Sequence, residues 1–204
     1  MTARIRLLLA DDQALIRSAL GVMLELEDDF EVVASVGRGD EVVAAAKAHQ
    51  PDVALLDIEM PGIDGLAVAG VLAQEVPHCR SLILTTFGRP GYLRRAMESG
   101  ACGFVVKDAP PERLADAIRR VAAGQRVVDP ALAATTLAAG ASPLTARERD
   151  VLVAARPGGT VAEIAEKLFL SEGTVRNYLS AAIAKTGTRN RTEAVRAADE
   201  LGWL

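Results

Sequence analysis

The sequence predicts an α/β domain with a doubly wound, five-stranded parallel sheet, followed by an all-α domain. Five short apolar runs alternate with helix-like segments over the first 122 residues, which is the pattern of a parallel sheet with helical crossovers. From residue 143 to residue 204 the periodic segments all have helical spacing. The chain of 204 residues is long enough to bury a core in each part.

The five predicted strands are rich in aliphatic residues and read, in order, IRLLLA, FEVVASV, VALLD, SLILTTF and GFVVK. Strands this apolar are covered by helices on both faces of a sheet. Between the second and third strands, EVVAAAKAHQ has a helical stripe, and we expect Asp40 to cap its start and Pro51 to end it. In such sheets, sites form at the carboxyl ends of the strands, beside the switch in strand order.

Polar side chains stand at the carboxyl ends of four predicted strands. Asp11 and Asp12 follow the first strand, Asp57 the third and Lys107 the fifth, and Thr85 lies near the end of the fourth. Three clustered carboxylates repel one another unless a cation lies among them, and Mg²⁺ prefers carboxylate oxygens. Because a carboxylate beside Mg²⁺ and a lysine can attack a phosphoryl group, the sequence predicts a Mg²⁺-dependent aspartyl phosphate site.

Four motifs, LADD, LLDIEMPGIDG, LTTF and GFVVKD, resemble the receiver domain of two-component response regulators. The resemblance implies the flavodoxin-like (CheY-like) fold and Asp57 as the phosphoacceptor. It also implies a Mg²⁺ shell that Asp57 shares with Asp12 as a direct ligand and Asp11 as a ligand through water. The backbone carbonyl of Glu59 would complete the protein's share of this shell.

The same resemblance assigns three further residues. Lys107 is the cation that faces the phosphoryl group. Thr85 and Phe104 form a switch pair, in which the hydroxyl moves toward the phosphoryl group and the aromatic ring turns inward. A sensor histidine kinase is the implied partner, because the aspartate needs a phosphodonor. An aspartate-nucleophile phosphatase is an alternative, although Glu59 stands where such enzymes usually carry a second aspartate.

A small-residue segment separates the two predicted domains. Residues 122–142, AAGQRVVDPALAATTLAAGAS, contain Gly124, Pro130 and Gly140. We expect a linker here, with a short helix from Pro130 to Ala139. The predicted boundaries are therefore 1–122 for the receiver domain, 123–142 for the linker and 143–204 for the C-terminal domain.

The C-terminal segment contains two capping boxes, Thr145 with Glu148 and Thr160 with Glu163, each at the start of a predicted helix. A third helix, GTVRNYLSAAIAKTG, follows a short turn. This order predicts a helix-turn-helix whose last helix enters the major groove of DNA. A generic three-helix bundle is the alternative, because it has the same apolar stripes.

LTARERDVL, EIAEKLFLSEGTVRNYL and NRTEAV resemble the DNA-binding domain of the NarL/FixJ (LuxR-type) regulators. The resemblance implies promoter DNA as the partner. It places Arg176, Asn177 and Ser180 toward the groove, and Thr174 and Lys185 at phosphates. A fourth helix, from Thr192 to Leu201, is implied to mediate dimerisation.

The first predicted helix, QALIRSALGVMLELE, has more apolar surface than one sheet contact needs. Its second apolar stripe consists of Leu15, Ala19, Val22 and Leu26, and such a surface suggests a partner. We expect phosphorylation to favour a homodimer through this stripe and through Leu114 and Ile118 of the helix after the fifth strand. The alternative is that the stripe packs against the chain's own DNA-binding domain.

The net charge of −4 is unevenly distributed. Residues 1–142 contain 14 basic and 19 acidic residues, whereas residues 143–204 contain 9 and 8, with the basic excess between residues 171 and 191. A local basic surface favours nucleic acid. No stretch approaches the roughly 20 apolar residues of a membrane span, and the N-terminus lacks a signal-peptide pattern. We therefore expect a cytoplasmic protein without direct membrane association.

These features predict a DNA-binding transcriptional response regulator that is phosphorylated on Asp57 and is not an enzyme. The alternative is a constitutive DNA-binding regulator with a vestigial receiver. LEDDFEVV, QPDVALLDIEMPG, TTFGRPGY, GTVRNYLS and the terminal GW also resemble a desaturase-controlling member of the family. That resemblance implies a role in the response to membrane-lipid or cell-envelope stress.

Overall fold

The structure is a computed structural model that describes residues 4–86, 90–138 and 142–204. The chain forms two compact units: the first contains the sheet and ends at Ala133, and the second contains Ala134–Leu204 together with a short segment that ends at Arg94. Among the described residues, no helix combines the length and apolarity that crossing a bilayer requires.

The first unit is built on a parallel sheet of six strands in the order β2-β1-β3-β4-β5-β6. The strands are β1 (Ile5–Ala10), β2 (Phe30–Val36), β3 (Val53–Leu56), β4 (Arg80–Thr85), β5 (Gly103–Val106) and β6 (Val127–Val128). The parallel sheet is confirmed, but the count of five strands is wrong. The sixth strand comes from the segment interpreted as a linker, and its two residues are too few to give a periodic signal.

The helices between the strands are α1 (Ala14–Glu25), α2 (Gly39–His49), α3 (Gly65–Glu75), α4 (Pro90–Glu98) and α5 (Pro111–Ala122). The start of α2 corrects the sequence analysis, because its N-cap is Arg38 and no side chain caps it. Asp40 lies in the first turn instead, where its carboxylate pairs with the Arg38 guanidinium at 2.9 Å. At the other end, Gln50 adopts a left-handed conformation and the helix stops before Pro51.

The strand order reverses at β1, which has β2 on one side and β3 on the other. On one face of the sheet, Leu7, Leu9, Leu55 and Leu82 form a core with residues of α1 and α5. The other strand residues alternate to the opposite face, where Leu8, Leu56 and Ile83 are fully buried. The switch in order opens a crevice at the carboxyl ends of β1 and β3, where the predicted site residues lie.

The remaining helices are α6 (Pro130–Ala138), α7 (Ala146–Ala155), α8 (Val161–Leu168), α9 (Glu172–Thr186) and α10 (Arg191–Glu200). Both predicted capping boxes are present, and Ser171 caps α9. The last residue of the predicted linker helix, Ala139, lies outside the described residues. The apolar sides of α7, α8, α9 and α10 enclose one core, and α8, its turn and α9 form the predicted helix-turn-helix.

Candidate functional site

Three carboxylates meet in the crevice at the carboxyl ends of β1 and β3. Asp11, Asp12 and Asp57 each offer an oxygen, and these oxygens all lie within 4.8 Å of one another. Asp11 and Asp57 are only 3% and 7% exposed, whereas Asp12 is exposed. Two buried acids and one solvent-facing acid therefore share a small space at this edge of the sheet.

Lys107 supplies the positive charge of this cluster. Its Nζ lies 2.7 Å from Asp11 Oδ2 and 3.0 Å from Asp57 Oδ2, and the side chain is 9% exposed. The position of Lys107 follows from the sheet, because its backbone N–H donates to the carbonyl of Thr85 at 2.7 Å and so extends the pairing of β5 with β4. One ammonium thus bridges two carboxylates that would otherwise repel each other.

Burial and the neighbouring charges shift the pKa values of Asp57 and Lys107. Burial raises the pKa of Asp57; Lys107 lowers it and Asp11 raises it, and the net direction is upward. Burial lowers the pKa of Lys107, but the two carboxylates outweigh burial and raise it. Lys107 is therefore held in its charged form, and the ionisation of Asp57 is less favourable than that of an ordinary aspartate.

Backbone contacts fix the position of Asp57. Its N–H donates to the Ala10 carbonyl at 2.8 Å, and its Oδ1 accepts from the N–H of Ile58 at 2.8 Å. Gly65 begins α3 directly against the Asp57 carbonyl, since a Cβ at that position would lie 1.9 Å from the oxygen. Only glycine fits this close approach, and the contact fixes the loop that follows Asp57.

The other predicted receiver residues occupy different places around the crevice. Thr85 is 3% exposed at the end of β4, and Phe104 is fully buried in β5. Phe104 pairs with Ile83 on one side and with Val128 of β6 on the other. Glu59 is exposed two residues after Asp57, and its carbonyl stays a predicted ligand.

The acidic crevice has the donor set that Mg²⁺ requires. Asp11 Oδ2 is buried, and apart from its ion pair with Lys107 it accepts no hydrogen bond among the described residues. Hard divalent cations bind one or two carboxylates and keep several waters, which the exposed side of Asp12 can admit. Asp11, Asp12 and Asp57 would hold such an ion, and the ion would neutralise charge on a phosphoryl group.

The second candidate site is the outer face of α9. Arg176, Asn177 and Ser180 are exposed and share one face of the helix, and Thr174 is partly exposed beside its Ser171 cap. Val175, Leu179 and Ala182 are buried on the opposite face. Arg176 also pairs with Glu172 one turn earlier.

Lys185 has a partner that the sequence does not indicate. Its Nζ lies 2.7 Å from Glu148 Oε2, and Glu148 is 5% exposed. The same Glu148 oxygen accepts from the N–H of Thr145 at 2.7 Å, so this carboxylate joins the start of α7 to the last turn of α9. The capping box identifies Glu148 locally, but its contact with a residue 37 positions away depends on the tertiary fold.

The proposed dimer surface is available only in part. Leu15, Val22 and Leu26 are 84%, 65% and 80% exposed, and Ala19 is exposed between them. Leu114 and Ile118 are 4% and 0% exposed, because they face the sheet as part of the core. Their assignment to a dimer interface is therefore wrong: the apolar stripe of α5 is used within the unit.

A parallel sheet with an acidic crevice at its switch point, followed by a helix-turn-helix unit, defines the architecture of a response regulator. Residues 7–119 match the response regulator receiver domain, and residues 142–198 match the bacterial regulatory proteins of the luxR family. The chain therefore belongs to the two-component response regulators with a LuxR-type DNA-binding domain. This family consists of transcription regulators and not of enzymes, which removes the phosphatase alternative.

Individual relatives share both domains. The transcriptional regulatory protein DesR of Bacillus subtilis (strain 168) is 45% identical over 200 residues, which cover 98% of this chain and 99% of DesR. The uncharacterized transcriptional regulatory protein YvfU of the same strain is 44% identical over 200 residues, covering 98% and 100%. A crystal structure of the response regulator ChrA from a heme-sensing two-component system has a TM-score of 0.61 at 35% identity, covering 99% of this chain and 100% of ChrA.

Proposed function

We propose that a sensor histidine kinase phosphorylates Asp57 and that the resulting phosphoprotein dimerises on promoter DNA. One carboxylate oxygen of Asp57 attacks the phosphorus of a phosphohistidine. The phosphorus–nitrogen bond breaks, its electron pair stays on the imidazole, and that nitrogen takes a proton from water. Bound Mg²⁺ supplies charge neutralisation at the phosphoryl oxygens, and Lys107 pairs with the oxygen nearest to it.

One observation carries this proposal: a buried aspartate lies beside two further carboxylates and one bridging ammonium. Asp57 is 7% exposed, 3.0 Å from Lys107, and within 4.8 Å of oxygens of Asp11 and Asp12. A purely structural ion pair needs one acid for each base. The excess of carboxylates is suited to a divalent cation.

The phosphoryl group then acts through Thr85 and Phe104. The Thr85 hydroxyl moves toward the phosphoryl group and donates to one of its oxygens, while the Phe104 ring, which is already fully buried before phosphorylation, stays inward. The movement of Thr85 favours a receiver dimer through the exposed α1 stripe formed by Leu15, Ala19, Val22 and Leu26. Two DNA-binding units then occupy half-sites about 10 base pairs apart, centre to centre.

The outer face of α9 reads the operator. Arg176 would pair with guanine and Asn177 with adenine, the bases that these side chains typically recognise, while Ser180 lies one turn further along the same face. Thr174 and Lys185 contact phosphates, which position the helix without reading sequence. Lys185 must share its ammonium between Glu148 and the phosphate. α10 is the proposed dimerisation helix of this unit.

The proposal also includes the domain boundaries, the cellular location of the protein and the pathway that it regulates. The boundaries at 122 and 142 and the cytoplasmic location stay predictions. A role in membrane-lipid or cell-envelope stress rests on the residues that resemble a desaturase-controlling regulator. DesR and YvfU are equally similar to this chain, so overall identity favours neither one as a guide to its target genes.

Sedimentation velocity of the full chain tests the phosphorylation step. With Mg²⁺ and beryllofluoride, we expect wild type to shift from monomer to dimer and Asp57→Ala to stay monomeric. Asp116→Ala, which changes an exposed acid of α5, is the matched control and should behave as wild type. A wild-type protein that does not shift would contradict the mechanism. DNA affinity that is indifferent to Asp57→Ala would favour the constitutive alternative.

A further inference from the structure

We propose that Arg17 is a positioning residue that holds the metal-binding loop between β1 and α1 and ties this loop to α1. The inference deepens the proposed function and rests on it, because it concerns the same acidic crevice. Arg17 is not a ligand, since a guanidinium does not bind a cation. It acts through the backbone of Asp11.

The first observation is the set of bonds around Asp11. Arg17 Nη1 donates to the backbone carbonyl of Asp11. The N–H of Asp11 donates to the Val36 carbonyl at 3.2 Å, and Asp11 Oδ1 accepts from the N–H of Gln13 at 2.8 Å. The main chain of Asp11 is thus held by β2 on its amide side and by Arg17 on its carbonyl side. Asp12 follows directly, so both acids depend on this anchor.

The second observation is the space around the guanidinium. Gly37 follows β2, and a Cβ at that position would lie 3.3 Å from Arg17 Nη1. Arg17 also lines a small cavity together with Asp11 and Asp57. The guanidinium therefore occupies the junction of the end of β2, the acidic loop and α1, where it is partly buried.

The tether and the charge of Arg17 have opposite effects on a bound cation. The positive charge disfavours Mg²⁺ nearby, whereas the hydrogen bond keeps Asp11 and Asp12 in position for it. We infer that the tether dominates, because residues that orient metal ligands typically change metal affinity by about 10–100-fold when they are replaced. The two effects predict opposite signs, so the sign of the change separates them.

The same bond links the crevice to the proposed dimer surface. Arg17 lies in the first turns of α1, and Leu15, Ala19 and Val22 are on the exposed side of that helix. A displacement of the Asp11 carbonyl is therefore transmitted through the Arg17 hydrogen bond to the helix that carries the stripe. Loss of the hydrogen bond from Arg17 should weaken the coupling between the crevice and the α1 stripe even when Asp57 is phosphorylated.

The test compares Arg17→Gln and Arg17→Lys with wild type and with Arg126→Gln, which removes an exposed charge outside the crevice. Amide hydrogen exchange of residues 11–16 is measured in metal-free protein, and Mg²⁺ affinity by calorimetric titration. We expect Arg17→Gln to speed exchange and to weaken Mg²⁺ binding by about tenfold. Arg17→Lys should recover part of both losses, and Arg126→Gln should change neither.

A second variant covers the case in which Arg17→Gln fails to fold. Gly37→Ala pushes against the guanidinium without removing its charge, and we expect the same direction of change with a smaller size. Mg²⁺ affinity and exchange at the wild-type value in Arg17→Gln would overturn the inference, as would tighter Mg²⁺ binding; if Arg17→Gln does not fold, the same results in Gly37→Ala would overturn it. If wild type itself neither binds Mg²⁺ nor dimerises with beryllofluoride, the proposed function fails instead.

Discussion

Asp57, the proposed phosphoacceptor, has an energetic cost to the folded protein, because its carboxylate is buried next to Asp11. Its pKa is raised, with burial as the largest cause, so folding favours the protonated form. The folded protein therefore loses stability as the pH rises from 3.8 through the folded-state pKa. At neutral pH the ionised group destabilises the metal-free protein, as is common for functional residues.

We expect Asp57→Asn to stabilise the metal-free protein at pH 7 by about 1 kcal/mol, or roughly 2–4 °C in melting temperature. Thermal melting in EDTA measures this difference, with Asp116→Asn on the exposed side of α5 as the control. Addition of Mg²⁺ should stabilise wild type more than the variant, because the variant offers the cation one carboxylate charge fewer. If Asp57→Asn were less stable than wild type in EDTA, the ionised Asp57 carboxylate could not be destabilising the metal-free protein.

Glu148 shows the opposite titration. Burial raises the pKa of its carboxyl, but the contacts with Lys185 and Thr145 lower this pKa by more than burial raises it, so the net direction is downward. Its contribution to stability is therefore complete above the ordinary value of 4.5 and is lost as the pH falls through the lower, folded-state pKa.

Glu148→Gln isolates the ion pair, because glutamine can still accept from the N–H of Thr145. We expect a loss of about 1–2 kcal/mol in unfolding free energy at pH 7 that shrinks as the pH falls below 4.5. The fluorescence of Trp203, the only tryptophan, reports unfolding of the C-terminal unit, where it packs against the core. A loss that is the same at pH 7 and pH 3 would show that the charge is irrelevant.

At the residue scale, the sequence was informative where backbone topology alone positions a side chain. Asp11, Asp57 and Lys107 follow predicted parallel strands, so the sheet brings them together whatever the details of packing. The contact of Glu148 with Lys185 could not be predicted in this way, because it depends on how two helices pack. The same limit explains the error at Leu114 and Ile118: periodicity reveals an apolar face but not its partner.

At the scale of elements, α1 is the helix whose two faces have different uses. Leu24 is buried against the sheet, whereas Leu15, Val22 and Leu26 are largely exposed. A helix of this kind leaves apolar surface for a partner, and a second copy of the receiver is the partner proposed above.

We expect the double variant Leu15→Asp and Val22→Asp to raise the dissociation constant of the beryllofluoride-induced dimer by about a hundredfold, since central apolar contacts dominate interfaces. Sedimentation measures the dimer, and phosphate incorporation on Asp57 should be unchanged. Leu137→Asp, at a leucine of α6 that is 81% exposed, is the matched control. Unchanged dimerisation in the double variant would exclude this surface.

Element prediction succeeded for long periodic segments and failed for short or polar features. All five predicted strands appear, because each is a run of apolar residues between helices. The sequence does not predict β6, because two residues carry no period, and it places the N-cap of α2 wrongly at Asp40, which binds Arg38 instead of the helix amides. Such outcomes depend on neighbours that a local pattern does not include.

At the scale of the whole molecule, only some of the basic side chains near α9 are free to bind DNA, because others already have partners within the described part of the protein. Lys185 is paired with Glu148, and Arg191 donates to the carbonyls of Gly158 and Gly159. Within the described part of the chain, the Arg189 side chain has no ion-pair partner. The basic surface inferred from composition is therefore smaller than the count of charges indicates.

We expect Arg189→Gln to reduce the salt dependence of DNA binding by about one ion per chain, because a guanidinium without an ion-pair partner can contact a phosphate. Arg191→Gln should leave the slope near wild type and lower the stability of the C-terminal unit instead. Fluorescence anisotropy with a random-sequence duplex over a range of salt concentrations measures both. Equal slopes for Arg189→Gln and wild type would contradict the assignment.

The caps described for the helices bear on the order in which the chain folds. Thr145, Thr160, Ser171 and Asn190 each cap a helix of the C-terminal unit with their own side chains, whereas α1, α2 and α5 have no such cap. Local signals and neighbouring contacts favour rapid folding, while a parallel sheet must wait for distant strands. In refolding, we expect Trp203 fluorescence to recover before the amides of β1 are protected. During synthesis, the segment made last would then be the quicker to fold.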